Sequence, residues 1–112
     1  MSTDVTEDPR LEQARSALRT VIDPELGYNI VDIGLVYAME LDASGNLRVR
    51  MTTTTRGCPA TDYLVQGAQL ALQQLPGCAG VEVELTYDPP WSPERISPMA
   101  RLHLGIDRAS AW

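Results

Sequence analysis

The chain has 112 residues, 44% of them hydrophobic and 21% charged, which is the composition of one globular domain rather than of two domains or of a disordered segment. At this length roughly 60–70% of the unfolded surface can be buried, so a core forms without disulfide or metal. A formal net charge of −6, with every basic residue an arginine, argues against a duplex nucleic-acid surface and excludes a Schiff-base or phosphate-loop lysine.

Residues 1–7 read as a flexible acidic tail, lacking the basic start and apolar stretch of a signal peptide. No apolar run approaches the roughly 20 residues that span a bilayer, so the expected protein is cytoplasmic, with no membrane partner and reduced thiols. Asp8-Pro9 has the form of an N-cap followed by a first-turn proline, and Leu11, Ala14, Leu18, Val21 and Ile22 recur at helical spacing. This predicts a first helix over about residues 9–21. Asp23-Pro24-Glu25-Leu26-Gly27 then breaks it and places two carboxylates in a loop. Ile30–Leu35, interrupted by Gly34, suggests a short extended piece with a bend, leading into a strand over Val36–Leu41.

Ala43-Ser44-Gly45-Asn46 has turn chemistry, and Leu47, Val49, Met51 and Thr53 alternate with Arg48, Arg50, Thr52 and Thr54, which predicts an antiparallel hairpin. Pro59 is expected to open a helix whose Leu64, Ala68, Ala71, Leu72 and Leu75 form one stripe, with Cys58 at its N-cap. Val81, Val83 and Leu85 alternate with acidic residues as a third strand, and Ser97-Pro98 caps a last short helix ending at Gly105. The order α-β-β-α-β-α implies an α+β domain over residues 8–105, with helices on one face of a small three-stranded mixed sheet. Residues 106–112 read as a C-terminal tail.

Cys58 carries the sharpest chemical signal. A thiol at a helix N-terminus meets the positive end of the macrodipole, and Arg56 adds to the effect, although a cysteine merely tolerated as a cap satisfies the same pattern. Cys78 lies beyond the far end of the same helix, roughly 24 Å away at ~1.5 Å per residue, which forbids a disulfide or shared metal within one chain and leaves Cys78 a packing role. Asp23, Glu25 and Asp32 are ordinary turn material or, alternatively, carboxylates beside the thiol. Inward hydroxyls at the end of the Thr52–Thr55 run could bond a thiolate or anion, and Trp91, set between prolines, suits either a lid on the core or a hook for a partner.

Asp23-Pro24-Glu25-Leu26-Gly27, Asn29-Ile30-Val31-Asp32-Ile33-Gly34-Leu35-Val36-Tyr37, Met51-Thr52-Thr53-Thr54, Gly57-Cys58-Pro59 and Asp88-Pro89-Pro90-Trp91 together resemble the SufT/PaaD-like group of metal–sulfur cluster assembly factors. The resemblance spans about residues 8–105 and implies an accessory, non-catalytic function in iron–sulfur cluster assembly or transfer. It matches Cys58 to the family's reactive cysteine and Asp23 and Glu25 to its acidic motif. Thr53, Thr54, Arg56, Asn29, Asp32 and Trp91 follow as candidate binding residues. Tyr28 departs from the small aliphatic residue expected between Gly27 and Asn29. The cysteine-rich module of the PaaD branch is missing, which points away from that branch's pathway.

Clusters usually need about four thiolates, so any cluster held through Cys58 is expected to be labile and shared between chains, as in a homodimer. No cofactor is expected to be stably bound. The implied partners are iron–sulfur carrier or scaffold proteins and apo-client proteins. A thiol enzyme with Cys58 as nucleophile, or a plain interaction module docking through the Trp91 loop, are the competing readings.

Mass-resolved labelling with limiting iodoacetamide across pH is expected to modify Cys58 faster than Cys78, with the advantage greatest at low pH. Equal rates would remove the activated thiol.

Overall fold

The computed structural model describes residues 9–55, 57 and 59–105. Arg56, Cys58, the proposed N-cap Asp8 and the two predicted tails lie outside the described residues. The elements run α1 (Pro9–Leu18), β1 (Ile22–Asp23), β2 (Tyr28–Asn29), β3 (Val36–Leu41), β4 (Asn46–Met51), α2 (Thr61–Gln73), β5 (Gly80–Leu85), a 3₁₀ turn (Pro93–Arg95) and α3 (Pro98–Leu104). This is the expected α+β order with one addition, a short antiparallel hairpin formed by β1 and β2.

The main sheet has the order β3-β4-β5. β3 pairs antiparallel with β4, and β5 returns parallel to β4, with Val49 opposite both Met39 and Val83. The alternation along β4 divides its faces: Leu47, Val49 and Met51 are buried and pack with Ala14 and Leu18 of α1 and Leu64, Ala68 and Leu72 of α2. On the opposite face Arg48 meets Glu82 at 3.4 Å and Arg50 meets Glu84 at 3.6 Å, both pairs exposed. Such pairs add little stability, but they keep that face hydrated. The β3–β4 turn is organised by Asp42, whose Oδ1 accepts from the Ser44 and Asn46 amides at 2.8 and 3.0 Å. Those bonds, the Asn46 amide first, hold the Asp42 carboxyl below the usual carboxylate range.

Three local expectations are corrected. The first helix ends at Leu18 rather than near residue 21, because its last turn tightens: the Thr20 and Val21 amides bond the carbonyls three residues back, at 3.1 Å each. Val21 still reaches the core, whereas Ile22 is 44% exposed on β1. The Ile30–Leu35 stretch is a run of turns and not an extended piece, with Leu35 donating to the Ile30 carbonyl at 2.9 Å. Its coiling buries Ile30, Ile33 and Leu35 together, which an extended segment with alternating faces would not achieve.

The second helix begins at Thr61, with Ala60 as N-cap and no side-chain cap bond. Pro59 and Ala60 form a turn, and the Ala60 carbonyl takes the first helical bond, from Leu64 at 2.9 Å. Proline sets its own φ without obliging the next residue to begin a helix. Cys58 therefore precedes the N-cap by two positions instead of occupying it. Cys78 is a free, half-buried thiol packed against the core.

Gly34 has φ +82°, and a Cβ there would lie 2.5 Å from both the Cβ and the carbonyl oxygen of Arg95. This close approach seats the 3₁₀ turn on the 31–35 turn. Gly34→Ala combines backbone strain with a clash against backbone, so urea denaturation should show a loss of at least about 1–3 kcal/mol.

Candidate functional site

The site is built where the β1–β2 hairpin meets the outgoing end of β4. Asp23 is the last residue of β1 and is 1% exposed. Its Oδ2 accepts from the Leu26 amide at 2.9 Å, and its backbone carbonyl accepts from Gly27 at 2.7 Å, so one residue closes the turn through both side chain and main chain. Burial pushes the Asp23 carboxyl above its ordinary value of 3.8, and the neighbouring Glu25 charge adds to this, while the Leu26 and Glu25 amides act in the opposite direction. Glu25 reaches across and accepts a short hydrogen bond from the Thr54 hydroxyl. The acidic loop is thereby tied to the segment that leads, in sequence, into Gly57-Cys58-Pro59.

The threonine run has three different fates. Thr52 is fully buried and its amide donates to the Leu35 carbonyl at 2.8 Å. Thr53 is 2% exposed, and its Oγ1 bonds the Thr55 carbonyl at 2.9 Å and the Tyr87 hydroxyl at 3.0 Å. Thr54 alone turns to the acidic loop. Tyr87 was not singled out by the sequence; its position directly after an alternating strand gives no sign of where the phenol points.

The other described candidates make their bonds away from the Glu25–Thr54 contact. Asn29 and Asp32 bond each other, Nδ2 to Oδ2 at 3.0 Å and the Asp32 amide to Asn29 Oδ1 at 2.9 Å. Asp32 also faces Arg19 at 3.6 Å, and its carbonyl accepts from Ser97 at 2.7 Å. Asn29 closes the turn between β2 and β3, and Asp32 also holds it to the Ser97 cap of α3. Trp91 is half-buried, and its indole N–H donates to the Ile33 carbonyl at 2.7 Å, beside a Tyr37 hydroxyl that donates to the Pro89 carbonyl at 2.8 Å. The proline-rich segment thus lies over the 31–35 turn. Tyr28 stands opposite Asp23 in the hairpin. It pairs with His103 of α3, hydroxyl to Nδ1 at 2.8 Å and rings stacked at 5.9 Å between centroids. Among the described residues, no three His, Cys, Asp or Glu side chains are grouped to hold a metal ion. No helix among them is long and apolar enough to cross a membrane.

A carboxyl whose folded-state pKa lies above its unfolded value favours the fold most when protonated. Its contribution is fully present below 3.8 and is lost as pH rises through the folded value. Asp23→Asn keeps a carbonyl oxygen for the Leu26 amide and carries no charge. Its thermal midpoint is expected to equal or exceed that of the wild type near neutral pH, with the gap closing in acid. A neutral-pH midpoint well below wild type would show that the ionised carboxylate is stabilising there.

A family model described as iron–sulfur cluster assembly protein matches residues 11–85. The Fe-S protein maturation auxiliary factor YitW of Bacillus subtilis is 39% identical over 100 residues, covering 89% of this chain and 98% of its own length. The Fe-S protein maturation auxiliary factor SufT of Staphylococcus aureus is 38% identical over 86 residues, covering 77% and 98%. A crystal structure of a domain of unknown function from Bacillus anthracis superposes with a TM-score of 0.83 at 38% identity, covering 91% of this chain and 97% of that one. With a family match over most of its length and relatives aligned nearly end to end, the chain belongs to the SufT-like iron–sulfur cluster assembly family.

Proposed function

We propose that this protein is an accessory factor that assists assembly of iron–sulfur clusters or their transfer to client proteins, with Cys58 as its reactive thiol and the cluster as transient cargo. The observation that carries the reading is the Glu25–Thr54 hydrogen bond, which joins the acidic loop to the chain segment entering Gly57-Cys58-Pro59 in a member of an assembly family. Names of the relatives support the same role: YitW and SufT are named Fe-S protein maturation auxiliary factors.

The division of labour follows from the chemistry of each group. A thiol must lose its proton to ligate iron, and a carboxyl whose affinity for protons is raised by burial is suited to accept it. Asp23 has that property, and Glu25 orients the strand end through Thr54. One thiolate per chain falls short of the set a cluster usually needs, so the remaining ligands come from a carrier, a scaffold, a client, a second copy or a small thiol. Release to a client is then a ligand exchange and needs no high-affinity site here.

Incorporation of labelled iron into an apo-client, supplied by a loaded carrier, tests the proposal. Cys58→Ala should abolish the stimulation by this protein, Asp23→Asn should reduce it while the fold is retained, and Cys78→Ala should leave it intact. Any cluster formed on the isolated protein by anaerobic reconstitution should be labile and lost in Cys58→Ala. A stoichiometric, chelator-resistant cluster on a monomer lacking Cys58 would overturn the reading.

A further inference from the structure

We infer that Tyr87 is a positioning residue for the chain that leaves β4 and leads, in sequence, to Cys58, acting through the hydroxyl of Thr53; this rests on the reactive-thiol reading above. A threonine hydroxyl has one proton to donate. That of Thr53 is directed to the Thr55 carbonyl at 2.9 Å, so in the 3.0 Å contact with Tyr87 the phenol is the donor. The result is a directed chain, Tyr87 O–H to Thr53 O–H to Thr55 carbonyl, ending three residues before Cys58 in sequence.

Both ends of the chain are anchored. Tyr87 follows β5, where the Thr86 amide donates to the Met51 carbonyl at 2.9 Å and the Thr86 hydroxyl accepts from the Asp88 amide at 3.2 Å. On the other flank the Thr52 amide is held by Leu35, and Thr54 by Glu25. The exit from β4 is therefore held by three chain segments that are distant in sequence, with the Tyr87 phenol reaching the Thr53 hydroxyl from 34 residues away. This reassigns Thr53: its hydroxyl is committed to Thr55 and Tyr87 inside the protein, leaving Thr54 as the threonine that faces the acidic loop.

The test compares Tyr87→Phe, Thr53→Val, Thr53→Ser and the Phe/Val double variant by mass-resolved alkylation of Cys58 across pH, with Cys78 as internal reference and thermal midpoints as the check on folding. Loss of the Tyr87–Thr53 hydrogen bond, alone in Tyr87→Phe and together with the Thr53–Thr55 bond in Thr53→Val, should slow Cys58 labelling roughly three- to tenfold and displace its pH profile, with Cys78 unchanged. Thr53→Ser should keep the wild-type profile, and the double variant should be no worse than Thr53→Val alone, since the pair acts as a unit. A purely structural role would lower the midpoint without moving the profile. Wild-type rates and profile in Tyr87→Phe would overturn the inference alone, and this variant decides the matter if Thr53→Val does not fold. Wild-type Cys58 labelling no faster than Cys78 would instead overturn the thiol reading, and the positioning role with it.

Discussion

Strand β4 is the constraint on which the rest of the molecule depends. Its buried residues Leu47, Val49 and Met51 provide the surface against which α1 and α2 pack, and both of its edges are occupied, by β3 on one side and β5 on the other. The pairing does not stop where the strand does: Thr52 continues it toward Leu35, and Met51 accepts from Thr86. A strand held on both edges beyond its formal end delivers the following residues in a defined direction. The candidate site is the continuation of the core strand rather than a loop appended to it.

The site also runs against the grain of stability. A carboxylate at 1% exposure is expensive to keep ionised, and the two amides that bond Asp23 offset that cost only in part, since its affinity for protons remains raised. A turn in this place could be closed by an asparagine without that cost. Retaining a buried acid next to Glu25 is the kind of local inconsistency that accompanies functional sites.

Much of the frame was legible in the residues. The β4 alternation, the Ser97 cap and the Gly105 terminus carry period and capping signals that depend only on near neighbours. The structure places α3 and its cap where those signals lie, and β4 on the Leu47–Met51 part of its alternation, which stops short of the expected Thr54 because Thr52 and Thr53 are both buried. What could not be read depended on partners far along the chain. The 30–35 segment coils because Asn29 and Asp32 satisfy each other and because Ile30, Ile33 and Leu35 share one core, neither of which appears as a period. The two-residue strands β1 and β2 are too short to leave a pattern. The start of α2 was misplaced because a proline signals a boundary without fixing the residue at which helical bonding begins. Within the site, the acidic motif and the threonine run were visible as residue types, whereas the committed direction of the Thr53 hydroxyl needed Tyr87, 34 residues away.

The spread of these contacts along the chain bears on synthesis. Glu25 waits for Thr54, Thr53 for Tyr87 and Tyr28 for His103, separations of 29, 34 and 75 residues. Contacts between distant segments form only after the entropic cost of closing the intervening loops is met, and β5, the strand that brings Tyr87 into place, pairs parallel to β4 across the whole of α2. A nascent chain that ends short of β5 thus carries Thr53 without the Tyr87 hydroxyl it meets in the finished fold. Closure of the β4 exit is coupled to completion of the domain, so a half-made molecule holds the residues but not their geometry.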